Sequence, residues 1–225
     1  MWCVADLTPE YRRRMGELLD LYEKPPCPAE PTICFDEKPV VLRGEVHDRP
    51  QPTAAPGCVR KRDFEYERRG TANVFCAVEP KTGRNFIKAT ARRTAGEFAD
   101  ALRWLAASYP SARRIHLVMD NLNTHREESL IARFGAAEGR RLWRRFAVHY
   151  TPKHASWLNQ AEIELSRLSR ECLGKERVAS LGDLVARSSH WSCACNADPR
   201  PINWMFTRRD ARKKFGSQNF RRGRH

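Results

Sequence analysis

The amino-acid sequence predicts an α/β domain, a mixed five-stranded sheet with helices on both faces. Apolar runs of strand length recur five times along the chain, and amphipathic stretches with 3- and 4-residue apolar spacing separate the later ones. Their order, hairpin-linked strands first and then helix alternating with strand, implies a sheet that is neither purely parallel nor purely antiparallel. The 225 residues, 41% hydrophobic, suit one sizeable core.

Taken in order, Thr8-Pro9-Glu10 supplies a cap and a first-turn proline for a helix whose apolar positions are Tyr11, Met15, Leu18, Leu19 and Tyr22. Prolines 25, 26 and 28 end it, and Pro31-Thr32-Ile33-Cys34-Phe35-Asp36 makes a first core strand that finishes on an acid. Residues from about 43 to 69 carry Pro50, Pro52, Pro56, Gly57 and the run RKRDFEYERR, which predicts a long exposed loop. Thr71–Val78 and Arg84–Thr90 flank Pro80-Lys81-Thr82-Gly83 as a hairpin.

Thr94 caps a helix with Phe98, Ala101, Leu102, Leu105 and Ala106 on its apolar side, stopping before Pro110. The strand Ile115–Met119 then delivers Asp120, Thr124 with Glu127 forms a capping-box pattern, and Phe146–Tyr150 is the fifth strand. Leu158, Ala161, Leu165, Leu168 and Cys172 define one amphipathic helix that carries Glu162, and Leu181, Leu184, Val185 and Trp191 define another. The organisation expected is a helix and linker over 1–30, a catalytic domain over 31–195 and a basic segment over 196–225.

Lys and Arg number 41 against 27 Asp and Glu, a net charge of +14 that favours a polyanionic partner, nucleic acid first. No apolar run approaches the ~20 residues that cross a bilayer, and the first residues lack a signal-peptide core, so a cytoplasmic, nucleoid-associated protein is expected. Eight cysteines without paired CxxC spacing read as free thiols rather than zinc ligands.

Against this basic background three acids stand out. Asp36 and Asp120 each close an apolar run, where α/β folds collect catalytic groups, although Asp120-Asn121 also suits an ordinary Asx turn. Glu162 and Glu164 flank the apolar stripe of their helix at about equal angles, so rotation does not choose between them. Glu162 could also be the third residue of a capping box begun by Asn159, with Leu158 and Ile163 as its hydrophobic staple. Charge pairing favours Glu162 as the ligand, because Glu164 has Arg167 three residues on and Glu162 has no basic neighbour. Three carboxylates suit Mg²⁺ or Mn²⁺, which take oxygen ligands. In a phosphodiester-cleaving site two ions ~3.5–4 Å apart would be held, Asp36 bridging both and Asp120 and Glu162 each completing one.

The segments FDEKP, LVMDNLNTH and HYTPKHASWLNQAEIELSRLSRECL resemble the catalytic motifs of the DDE-superfamily endonuclease domain in insertion-sequence transposases of the IS-six-thirty family, relatives of mariner elements. FEYERRGTANVF, FIKATARRTAGEFA and NWMFTRRDARKKF extend the likeness through nearly the whole chain. The resemblance implies an RNase H-like fold and DNA cleavage followed by strand transfer at TA targets. It assigns catalysis and metal binding to Asp36, Asp120 and Glu162, the last over Glu164 because Leu158–Glu162 matches the family's LNxxE pattern.

Asn121 and His125, in the DNxxxH pattern, are expected to orient the site. Lys153 and His154, with Trp157, and the loop cations Arg60, Lys61, Arg62, Arg68 and Arg69 are candidate DNA contacts. Double-stranded DNA, a homodimer or DNA-assembled synaptic complex, and an upstream helix-turn-helix polypeptide are the partners implied. Relatives carry helix-turn-helix modules ahead of the catalytic domain, so a truncated or split-frame product is expected. Ser192–Cys195 also departs from the family's charged helix. The alternatives are a catalytically silent DNA-binding remnant and a stand-alone nuclease acting on RNA–DNA hybrids.

Overall fold

The computed structural model describes residues 7–46, 65–174 and 176–215. In chain order it contains α1 (Pro9–Glu23), β1 (Thr32–Gly44), β2 (Glu67–Glu79), β3 (Arg84–Thr90), α2 (Ala95–Ala107), β4 (Ile115–Met119), α3 (Glu127–Phe134), α4 (Ala136–Trp143) and β5 (Phe146–Tyr150). A 3₁₀ turn (Ser156–Leu158), α5 (Ala161–Arg167), a π-helical turn (Leu168–Leu173), α6 (Leu181–Ala197) and α7 (Arg208–Phe215) complete it. The sheet order is β3-β2-β1-β4-β5. The first three strands are antiparallel, and β1, β4 and β5 run parallel.

Strand alternation divides the core between the two faces. Ile33 and Phe35 of β1 and Leu117 of β4 pack with Phe98, Leu102 and Leu105 of α2 and Leu130 of α3. On the reverse face Cys34 and Val118 meet Met15, Leu18, Leu19 and Tyr22 of α1, together with Leu158, Ala161 and Ala211. Val74, Cys76 and Ile87 continue that face beneath Leu165, Leu168, Leu184 and Trp191. Each of these large buried side chains contributes ~1.5–3 kcal/mol.

Helix α1 begins as its sequence dictates, with Thr8 Oγ1 accepting from the Tyr11 N–H at 3.1 Å and Pro9 in the first turn. The C-terminal segment lies against it. Arg208 pairs with Asp20, its backbone N–H donates to Glu23 at 2.9 Å, and Arg12 reaches the Phe215 carbonyl at 3.1 Å. Residues 7–30 and 196–215 of the flanking segments therefore share the core of the central domain.

Several boundaries differ from the sequence reading. Strand β1 does not end at Asp36 but runs on to Gly44, and β2 starts at Glu67, inside the predicted loop, pairing Arg43 with Arg68. The interior of that loop, with Arg60, Lys61 and Arg62, lies outside the described residues. Thr124 does not cap α3: Arg126 takes that position without a side-chain bond, and the Thr124 carbonyl accepts from Ser129 Oγ at 2.6 Å. The helix starts late because His125 is drawn inward and is only 1% exposed. The single helix expected around Glu162 is broken into a 3₁₀ turn, α5 and a π-helical turn that ends at Gly174, φ +53°. Ile163 is 38% exposed, so it does not staple the start of α5. Ser192–Cys195 lie within α6, which runs unbroken to Ala197.

Candidate active site

The parallel register of β1 and β4 pairs Cys34 with Val118. Asp36 and Asp120 each lie two residues further on, which places them side by side where the two strands part, with strands ~4.8 Å apart. Asp36 shares the face of Cys34, toward α5. There Asn159, 1% exposed and just ahead of α5, donates from Nδ2 to the Phe35 carbonyl at 2.8 Å and to Asp36 Oδ2 at 3.2 Å. Its own Oδ1 accepts from the Ala161 N–H at 3.2 Å, and its carbonyl accepts from the Glu162 N–H at 3.2 Å. One side chain thus ties the start of the Glu162 helix to the strand that carries Asp36.

Electrostatics report the same convergence. Burial pushes the Asp36 carboxyl up to about 7; the Glu37 N–H, donating to Oδ1 at 2.8 Å, pulls against the rise, and the charges of Glu162, Glu37 and Asp120 add to it. Glu162 itself is exposed, whereas Glu164 is 1% exposed and paired with Arg167 at 2.9 Å. Glu164 thus has the basic partner that the sequence offers it. Among the described residues no group of three or more His, Cys, Asp or Glu side chains is arranged to hold a metal ion. Glu162 and Asp120 are near enough for their charges to act on Asp36, but the three carboxylates are not gathered into a ligand cluster.

His125 lies behind Asp120. Its ring stacks on Phe98 with centroids 4.6 Å apart, Nδ1 bonds the Asp120 carbonyl at 3.2 Å and stands 2.6 Å from Asp120 Oδ1, and Nε2 faces Glu37 Oε2 at 3.3 Å. Burial opposes the charged ring, yet the contacts with Asp120 and Glu37 outweigh it and raise His125 to about 9. Asn121, the other residue of that pattern, is exposed.

Lys153 and His154 are exposed on the turn between β5 and α5, with His154 at φ +63°. Trp157, next along, is 41% exposed and stacks on Trp204 at 6.4 Å. This turn leads directly into the Asn159–Glu162 segment. Arg68 and Arg69 are different: they lie near the start of β2, eight and seven residues from Cys76 of the Asp36–Cys76 pair, about 25 Å along the strand. Arg69 is paired with Glu67 at 3.0 Å.

Two participants were not legible as such. The sequence offers Asn159 as a helix cap and as part of the LNxxE pattern, without its bond to Asp36, and does not single out Glu37. The available signal for Glu37 was its place beside Asp36, since in a strand adjacent residues face opposite sides and an acid on the Ile33–Phe35 face needs a partner.

Comparison with known proteins agrees with this architecture. A family model described as DDE superfamily endonuclease matches residues 31–185. Among solved structures, the Mos1 transposase paired-end complex with left transposon end is 15% identical, with a TM-score of 0.53, over 86% of this chain and 58% of that one. The Mos1 strand transfer complex gives 15%, 0.54, 86% and 57%, and the mariner Mos1 paired-end complex with Mg gives 16%, 0.51, 88% and 59%. At these identities the likeness is one of fold, and the chain spans less than two thirds of the length of those it matches. No curated protein matched.

Proposed function

The chain belongs to the DDE superfamily endonucleases, and from that membership we propose that it is the catalytic domain of a transposase, cutting DNA and joining the freed end to a target. The observation that carries this reading is that β1 and β4 set Asp36 and Asp120 on adjacent strands while Asn159 ties the start of the Glu162 helix to Asp36, which burial and the other acids raise to about 7.

The donor set fits a hard divalent cation. All three side chains offer oxygen, the two aspartates come from adjacent strands, and an acid pushed upward by burial and, less, by its acidic neighbours is one that a cation would relieve. Asp36, Asp120 and Glu162 are the residues that would hold Mg²⁺ or Mn²⁺, two ions in our reading. When bound, such a pair supplies an activated water and charge stabilisation for an in-line displacement at phosphorus. The Mos1 structures with Mg and with Mn agree with that choice.

The remaining work falls to the chain itself. Asn159 fixes the orientation of Asp36, and His125 holds Asp120. Lys153, His154 and Trp157 present cationic and aromatic groups at the approach to Glu162, suited to the backbone and bases of DNA. Arg68 and Arg69 would contact the duplex further out, and Arg60, Lys61 and Arg62, outside the described residues, are further proposed contacts. Element ends and target DNA are the proposed substrates, with TA targets by analogy with the IS-six-thirty family. A homodimer or DNA-assembled synaptic complex and a helix-turn-helix polypeptide are the proposed partners.

The test is incubation of the purified chain with supercoiled plasmid and Mg²⁺ or Mn²⁺. Metal-dependent nicking by the wild type, and its loss in Asp36→Ala, Asp120→Ala and Glu162→Ala, is the expected result. Equal nicking by all four proteins would remove the reading.

A further inference from the structure

Glu37 has no role in the reaction as described so far, yet it is built into the site from behind. It follows Asp36 in β1, so alternation sends its side chain through the sheet to the face of Ile33 and Phe35. The side chain is 4% exposed there, with Oε2 3.3 Å from His125 Nε2 and Oε1 3.5 Å from Arg93. The His125 ring is held between Phe35 and Phe98, with centroids 6.1 and 4.6 Å away. A buried carboxylate and imidazole are a costly way to fill a space between phenylalanines, which hydrocarbon would fill at no loss of stability. Their arrangement makes sense through the opposite edge of the ring, where Nδ1 meets both the carbonyl and the carboxylate of Asp120.

We propose that Glu37 is a positioning residue for cation binding: from the far side of the sheet it holds His125 in place, and through that ring it fixes the Asp120 carboxylate beside Asp36. The inference rests on Asp36, Asp120 and Glu162 being the cation ligands. Outer partners of this kind orient a ligand before the metal arrives, and their loss costs about 10- to 100-fold in metal affinity. Asp120 is 39% exposed and sits at the end of its strand, so without the grip of His125 it would sample many orientations. Arg93, itself 58% exposed, closes the chain of charges at the outer end.

Mn²⁺ binding measured by calorimetry, alongside plasmid nicking as a function of Mn²⁺ concentration, tests this. Glu37→Gln is expected to weaken Mn²⁺ binding at least tenfold and to raise the Mn²⁺ needed for half-maximal nicking equally, with the KM for DNA unchanged. Because Glu37 acts through Nε2, it should have no further effect in a His125→Asn background. If Glu37→Gln does not fold, Glu37→Asp, which retracts the carboxylate by one methylene, takes its place with the same expected outcomes. Wild-type Mn²⁺ affinity in the Glu37 variant, with binding abolished in Asp36→Ala, overturns the inference alone, as do additive losses in the double variant. Unchanged Mn²⁺ binding in Asp36→Ala, Asp120→Ala and Glu162→Ala overturns the ligand assignment as well.

Discussion

Asn159 and Asp36 are 123 positions apart in the chain and are joined by a 3.2 Å hydrogen bond from Nδ2 to Oδ2. The same amide satisfies the buried Phe35 carbonyl at 2.8 Å, so removing it affects both folding and geometry. Asn159→Ala is expected to cost about 1–3 kcal/mol, the range for a buried acceptor left unsatisfied. It should also lower metal-dependent nicking more than tenfold at temperatures where the protein remains folded. Asn159→Asp should do worse, since it sets a second carboxylate against Asp36. Thermal melts paired with nicking rates separate the two effects.

Glu162 and Glu164 sit two residues apart, one exposed and one 1% exposed beside Arg167. Glu162→Gln should abolish nicking and leave the melting temperature within a degree of wild type, because no packing depends on the exposed carboxylate. Glu164→Ala should do the reverse, costing about 1–3 kcal/mol by removing the buried partner of Arg167 and leaving it Glu171, at 3.2 Å, as its remaining carboxylate, while nicking per folded molecule persists. Loss of activity in the Glu164 variant with full activity in the Glu162 variant would exchange their roles.

The sheet and both aspartates were legible because five apolar runs and the acids that follow two of them are local features of the chain. The extension of β1 from Asp36 to Gly44 was hidden by Lys38, Pro39 and Arg43, which argue against a central strand. Its tolerance there is physical: the pairing with β4 ends at Cys34, so beyond that point β1 has β2 as its one strand partner among the described residues, and a proline lacking an N–H is acceptable on such an edge. The delayed start of α3 was equally hidden. Thr124 and Glu127 carry the correct letters for a cap, but burial of His125 between Phe98 and Glu37 overrides them, and that contact is set by tertiary packing alone.

A second titrating pair, away from the acids, predicts an acid limb of stability. His149 Nε2 lies 2.9 Å from His116 Nδ1, and burial, followed by the charges of His116, Lys24 and Arg114, lowers His149 to about 4. In the unfolded chain the group titrates near ~6.5. The folded protein therefore binds fewer protons than the unfolded one between those values, and stability falls as pH drops from about 6.5 toward 4, by on the order of 2–3 kcal/mol in all. Asp36, raised to about 7, acts in the opposite sense: its stabilisation is lost as pH rises toward 7. The comparison is thus made between proteins, by urea melts across this range. His149→Gln should remove the acid limb, and an unchanged slope in that variant would refute the assignment.

The β2–β3 turn depends on a residue without a side chain. Gly83 adopts φ +76°, a left-handed conformation, and a Cβ built there would collide with the backbone of Arg200. The neighbouring Pro80 carbonyl accepts from the Ile202 N–H at 2.8 Å, so the turn is the dock for the strap that carries Trp204 and Phe206 toward α7. Gly83→Ala should cost ~1–2 kcal/mol from the backbone conformation alone, and more if the strap must lift. Because Trp204 stacks on Trp157 in the turn that leads to Glu162, the lifted strap should also increase Trp157 exposure, read as iodide quenching of tryptophan fluorescence. A Gly83→Ala protein with wild-type stability and quenching would mean that the strap does not rest on this turn.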